Sequence, residues 1–346
     1  MDNILIVIPS LNSGGCEIQI KILIKELIAK GYNVTLAVRK NNYDKNVSIK
    51  DLNIIELENR AGISLITIVK LRLFIKKSKP IFVYSLLRQM NVMVGFLNLF
   101  VNFNWISSER SNPNLHNSIY SKLERFLQKQ SLVICNSKAS EKFHKKNNYS
   151  TFYFPNFLKF IQKGNVSYEK KFIVLNRLIK SKRVDVILKA WTMSDIGSEL
   201  IIVGDGAELE NLKSLSNDLN QDNVSFLGNI ENPSNLLLSS SFFISASIME
   251  GMPNATLEAM SHNNIIILSD IDVHREILMS DIKYMFESNS PKQLSKILKS
   301  AFNLSKNDFD IDLNKQNIYL KKFNNKKNTD KFLKHVLQYF NLSITY

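Results

Sequence analysis

Cysteine is nearly absent from the 346 residues. Cys16 and Cys135 make no disulfide framework, so a reducing compartment is expected. No zinc-ligand spacing and no aromatic–basic RNA-binding signature occurs, which leaves nucleic acid without a recognition module. No G-x-G-x-x-G fingerprint for a dinucleotide is present either. The opening residues, MDNILIVIPS, begin with an acid and lack the basic start of a secretory signal; they read as a first core strand. One stretch, Gln89–Ser108, runs twenty residues without a charge, long enough to cross a bilayer. It contains Asn91, Asn98, Asn102 and Asn104, whose amides are costly to bury in lipid. A helix followed by a core strand is the better reading.

Acidic residues are scarce in one half only. Residues 1–160 hold 10 Asp and Glu against 23 Lys and Arg, whereas residues 161–346 hold 21 against 22. Nearly all of the net charge of +14 therefore lies in the first half, which should meet something anionic. With no nucleic-acid module in view, an anionic membrane surface is the expected partner. The segment Leu65–Lys77 (LITIVKLRLFIKK) is apolar, with Lys70, Arg72, Lys76 and Lys77 grouped late. It suits docking on such a surface as well as ordinary helix packing.

The length suits two domains. Short apolar runs alternate with helical stripes, the pattern of parallel sheets covered on both faces. Ile4–Ile8, Val34–Val38, Ile54–Leu57, Ile81–Tyr84, Trp105–Ser107 and Leu132–Cys135 read as strands of a first domain. Phe172–Leu175, Leu200–Val203, Val224–Leu227, Phe242–Ser245 and Ile265–Leu268 read as strands of a second. A polar segment without period, Gln162–Lys171, reads as the linker, and the tail from Asn314 reads as two polar helices.

In α/β sheets of this kind ligands bind at the carboxyl ends of the strands. Gly14-Gly15 follows the first strand. Arg177 and Lys182 follow the strand 172–175; a planar fork and a point charge there suit a diphosphate. Gly204-Asp205-Gly206 leaves the next strand. The stretch SASIMEGMPNATLEA (residues 245–259) carries Glu250 on a loop, and a helix is expected to open near Asn254 with Glu258 within its first turns. A helix start with free N–H groups favours a phosphate. Asp270-Ile271-Asp272 imitates a metal-binding pair, but no further carboxylates cluster beside it, so no metal cofactor is expected.

Taken in order, GGCE (14–17), NRLIKSK (176–182), GDGAE (204–208) and EGMPNATLEAM (250–260) resemble the retaining glycosyltransferases of family four. The resemblance implies a GT-B fold, an α/β architecture of two doubly wound Rossmann-like domains facing a central cleft. Residues 1–160 would bind the acceptor, residues 161–320 the nucleotide sugar, and residues 321–346 would form a helix packing back on the first domain. It further implies that Arg177 and Lys182 hold the donor's diphosphate and that Glu258 holds the ribose. Glu250 would lie near the transferred sugar, with Gly251, Met252, Pro253, Asn254 and Ala255 lining sugar and phosphate. Gly14 and Gly15 would approach the donor from the other domain. The sequence departs from the family at three places: Asn176 and Arg183 replace glycines, and the usual histidine after a middle strand is missing. Glu109 or Arg110 would take that contact, with His116 a rival. The expected activity is transfer of a hexose or N-acetylhexosamine from a nucleotide sugar, UDP-linked by family precedent, with retained configuration. The expected acceptor is a lipid-linked glycan, a polyprenyl diphosphate oligosaccharide of bacterial polysaccharide or O-antigen synthesis, met at the inner face of the cell membrane by a cytoplasmic, peripheral enzyme. A soluble acceptor or sugar-nucleotide epimerisation on the same fold is the alternative.

Overall fold

A computed structural model describes residues 2–12, 15–43, 49–58, 64–110, 118–158, 168–278 and 283–342. The chain divides into two compact units, Met1–Phe157 with Asn324–Tyr346, and Leu158–Phe323. Most of the segment read as linker lies outside the described residues.

The first unit begins with β1 (Asn3–Ile8), α1 (Gly15–Ala29), β2 (Asn33–Arg39), β3 (Asn53–Leu57), α2 (Leu65–Ser78), β4 (Phe82–Leu86) and α3 (Arg88–Asn98). It continues through β5 (Trp105–Glu109), α4 (Ile119–Gln128), β6 (Leu132–Cys135), α5 (Lys138–Lys146) and β7 (Thr151–Tyr153). Its seven strands are all parallel, in the order β3-β2-β1-β4-β5-β6-β7. Side chains alternate across a strand, so the unbroken apolar run of β1 feeds two cores. Ile4, Ile6 and Ile8 pack beneath α1, whereas Leu5 and Val7 pack beneath α2, α3 and α4.

The uncharged stretch 89–108 is therefore α3 running into β5. Its costly amide is fully satisfied: Asn91 is buried, accepts from Ser85 Oγ (2.8 Å) and donates to Ser108 O (3.1 Å) and Glu124 Oε1 (2.8 Å). Trp105 Nε1 donates to the same Ser85 hydroxyl (2.8 Å), and Arg88 pairs with Glu124 (2.9 Å). Among the described residues no helix is long and apolar enough to cross a membrane.

The second unit runs β8 (Phe172–Leu175), α6 (Val184–Ser194), β9 (Leu200–Val203), α7 (Leu209–Asp218), β10 (Val224–Phe226), α8 (Ser234–Leu238) and β11 (Phe242–Ser245). After these come α9 (Asn254–Ser261), β12 (Ile265–Ser269), α10 (Asp272–Leu278), β13 (Met285–Phe286), α11 (Pro291–Phe302) and α12 (Lys306–Leu320). Its parallel sheet has the order β10-β9-β8-β11-β12-β13. Phe172, Val174, Phe242 and Ile244 face α6, α11 and α12; Ile173 and Phe243 face α9 and α10. The last helix, α13 (Asn325–Tyr339), returns to the first unit. Its Phe332 ring meets Phe82, Tyr84 and Phe154 at centroid distances of 6.3, 6.0 and 4.8 Å. In both sheets the strand order reverses beside the first strand, at β1/β4 and at β8/β11. Such reversals open a crevice at the carboxyl ends of the two strands.

Candidate functional site

In the second unit the two connections that leave the reversal point are tied to each other. After β8 the chain passes Asn176 and Arg177 into a single 3-10 turn, Lys180–Lys182; after β11 it passes Ser247 and Glu250 into α9. Ile248 N donates to Ser181 O (3.0 Å), and Lys182 Nζ forms an ion pair with Glu250 Oε1. The same carboxylate oxygen accepts from Ser247 Oγ (2.8 Å), and the two charged side chains are only 13% and 12% exposed. Arg177, by contrast, is exposed and makes no ion pair among the described residues. A cation and a carboxylate 68 positions apart in sequence thus meet because β8 and β11 are neighbours.

Helix α9 starts without a side-chain cap. Pro253 precedes it at φ −77° and ψ 98°, whereas Ser64, Ser118, Ser137, Ser290, Ser305 and Asn324 all cap their helices by accepting a backbone N–H. The first turn of α9 therefore presents backbone donors that no side chain of its N-cap satisfies, at the positive end of the helix dipole. Met252 and Pro253 are buried; Gly251, Asn254 and Ala255 are half-buried at this helix start. Glu258 follows Asn254 by four residues, which places both on one face of α9.

The glycines after β9 have a structural task. Asn176 N donates to Val203 O (3.1 Å) and Leu178 N to Asp205 O (2.8 Å), so residues 176–178 lie directly against 203–205. At Gly204 (φ +139°) a Cβ would fall 1.8 Å from Asn176 O, and at Gly206 (φ +158°) 2.3 Å from Leu178 O. Only glycine fits either place. Of the two departures in the preceding motif, Asn176 needs no positive φ, whereas Arg183 sits at φ 50° and ψ 41°. Its guanidinium is fastened to Asp185 by two hydrogen bonds, 2.9 and 3.1 Å, which offset part of the strain.

One residue beneath the site escaped sequence reasoning. His274, on α10, is fully buried and donates from Nδ1 to Ser269 O (2.7 Å); Nε2 has no partner among the described residues. Burial lowers its pKa to about 4, against the smaller opposing influences of the Ser269 hydrogen bond and of Glu250. The ring is neutral and supports Ser269, whose hydroxyl donates to Ser247 O on the Glu250 loop. A histidine two residues past an aspartate carries no cue by itself; only the pairing of β11 with β12 puts it under Glu250. Asp270 is taken by Arg275 Nε and Nη2, and this pairing holds its carboxyl below the usual range.

In the first unit Gly14 and His116 lie outside the described residues, and Gly15 opens α1. Arg110, just past β5, donates to Ser108 Oγ (2.8 Å), Asn156 Oδ1 (2.8 Å) and Tyr84 OH (3.3 Å), with no carboxylate paired to it among the described residues. It also couples electrostatically to Cys16 in the first turn of α1. Glu109 raises the pKa values of Glu124 and Cys135 through charge repulsion, less strongly than their burial does. The sequence places the two candidates side by side, and the structure puts Arg110 beside Tyr84 of β4 and Cys16 of α1. Leu87, at the exit of β4, holds φ 67° and ψ 147°, a strained backbone for leucine at the reversal point of this sheet.

Residues 157–318 match the family described as glycosyl transferases group 1. This match spans nearly the whole of the second unit. The capsular polysaccharide biosynthesis glycosyltransferase CapH of Staphylococcus aureus is 30% identical over 175 residues, which is 46% of this chain and 49% of that protein. The N-acetylgalactosamine-N,N'-diacetylbacillosaminyl-diphospho-undecaprenol 4-alpha-N-acetylgalactosaminyltransferase of Campylobacter jejuni is 28% identical over 108 residues, 31% of this chain and 30% of that one. The chain spans half or less of the length of the curated relatives it matches. Among solved structures, Anabaena HepE in complex with UDP and glucose superposes with a TM-score of 0.84 at 15% identity, covering 98% of this chain and all of that one. The fold is that of GT-B glycosyltransferases.

Proposed function

We propose that the protein transfers a hexose or N-acetylhexosamine from a nucleotide sugar, UDP-linked, to a lipid-linked oligosaccharide, with retained configuration. The observation that carries the reading is the meeting of Lys182, Glu250 and the uncapped start of α9 at the reversal point of the second sheet. The family match supports the reaction class, the UDP held by HepE supports the donor, and the diphospho-undecaprenol in the name of the Campylobacter relative supports the acceptor.

As the bond between C1 and the diphosphate oxygen breaks, negative charge grows on the leaving diphosphate. Arg177, Lys182 and the backbone N–H groups of Gly251, Met252, Asn254 and Ala255 stabilise that charge, a role that fixed donors fill well in a water-poor site. Glu258 accepts from the ribose hydroxyls. Glu250 faces the transferred sugar and orients it, and the acceptor hydroxyl attacks C1 from the leaving-group side, passing its proton to the departing diphosphate oxygen. Gly14, Gly15 and Arg110 are the first unit's candidate residues, and the scheme uses no metal. The enzyme works from the cytoplasm at the inner face of a bacterial membrane in polysaccharide or O-antigen assembly.

Calorimetric titration with UDP and with UDP-, GDP- and ADP-sugars tests the donor assignment. Glu258→Ala should weaken UDP binding by about tenfold or more, the loss of one or two hydrogen bonds to a charged group. Unaltered affinity in that variant would remove Glu258 from the site, and no binding of any nucleotide would sink the proposal.

A further inference from the structure

Helices α2, α3 and α4 form one layer over the core of Leu5 and Val7. Ten of the seventeen large apolar side chains exposed among the described residues lie on or directly after these three helices. They are Leu65, Ile66, Val69 and Leu73 on α2, Phe96, Leu99 and Phe100 at the end of α3, and Ile119, Leu123 and Phe126 on α4. Leu65 and Ile119 are 76% and 86% exposed. A soluble surface scatters such residues singly; a concentration of this kind marks a face that meets something apolar.

The charges on the same layer have one sign. The exposed residues of α2 are Leu65, Ile66, Val69, Lys70, Arg72, Leu73, Lys76 and Lys77, four apolar and four cationic. On α4 the charges reaching solvent are Lys122 and Arg125, and the layer's one acid, Glu124, is buried against Arg88. An open groove of about 450 Å³ at the end of α2 is lined by Ile75, Lys76, Lys79, Val101, Asn102 and Phe103, and it contains no carboxylate. Cations flanking aliphatic side chains match the anionic headgroups and acyl boundary of a bilayer. A second copy of the chain fits poorly, because a two-fold interface would set cations against cations. At 14 residues α2 is about 21 Å long, too short to span and suited to lying in the interface.

We infer that the α2–α3–α4 layer is the membrane-docking face, inserting its apolar side chains among anionic lipids with a headgroup phosphate at the Lys76–Lys79 groove. The inference deepens the membrane half of the proposed function and is independent of the donor site.

Flotation of the full chain with vesicles of equimolar phosphatidylglycerol and phosphatidylcholine tests it. The wild type should float with these vesicles and not with phosphatidylcholine alone, and should stay partly bound in salt that screens surface charge. The combined variant Leu65→Ser, Val69→Ser, Leu73→Ser should lose about 100-fold in partitioning, and Lys76→Glu with Lys77→Glu at least about 30-fold. All five positions are exposed, so near-native melting and unchanged UDP binding are expected in both variants. Equal flotation of wild type and variants would overturn the inference, as would a dimer in light scattering that the serine variant dissolves. A chain that binds UDP but no vesicles loses only this face, and one that floats without binding UDP loses only the donor assignment.

Discussion

The pair Lys182–Glu250 makes a prediction whose sign separates its structural from its catalytic role. With both side chains nearly buried, removing either partner strands a charge that has lost most of its water. Lys182→Met leaves Glu250 with the Ser247 hydroxyl as its remaining donor among the described residues, and should cost about 3–5 kcal/mol of the second unit's stability. Glu250→Gln strands the ammonium and should cost a similar amount. The double variant strands neither, so a coupling of about 1–3 kcal/mol should be recovered. Donor binding then splits the two. A diphosphate competes with Glu250 for Lys182, so Glu250→Gln should hold UDP at least as tightly as the wild type while transfer falls. Lys182→Met should weaken UDP by about 10–100-fold, the worth of one charge-assisted hydrogen bond. Urea unfolding followed by hydrogen exchange of β8 and β11 gives the stabilities for this unit alone, and calorimetry gives UDP affinity. Strict additivity of the two substitutions, or equal loss of UDP affinity in both, would refute the reasoning.

Three further outcomes are expected. Gly204→Ala should cost at least about 3 kcal/mol or prevent folding of the second unit, because its Cβ meets a backbone carbonyl that cannot move aside; chemical denaturation measures it. Phe332→Ala should cost about 3–5 kcal/mol in the first unit, although the residue lies beyond the whole second unit in sequence, and exchange protection of β4 should report the loss. His274, with its folded pKa depressed to about 4 from 6.5, contributes stability that is present above 6.5 and lost as pH falls toward 4, on the order of 3 kcal/mol. Melting curves between those pH values should fall more steeply for the wild type than for His274→Asn.

The strands were legible because both faces of each central strand are buried, and a run such as ILIVI admits no other soluble reading at that length. β7 was missed for the opposite reason: Thr151–Tyr153 is a three-residue edge strand, half-buried throughout, with no apolar run to announce it. At the site, sequence order showed which residue types leave each strand but not which of them touch. Lys182 read as a free phosphate ligand, and the structure gives it a carboxylate partner that only the β8–β11 adjacency could supply. Local backbone geometry accounts for the departures from the family pattern. Glycine at 176 is dispensable because the backbone there is ordinary, while glycine at 183 answers a left-handed turn that this chain holds with Arg183 braced by Asp185. A bracing contact two residues away costs the chain little to acquire, whereas Gly204 faces a carbonyl 28 residues upstream that no local contact can relieve. The replaceable glycines of the motif are thus those whose demand is conformational, and the fixed ones are those whose demand is space.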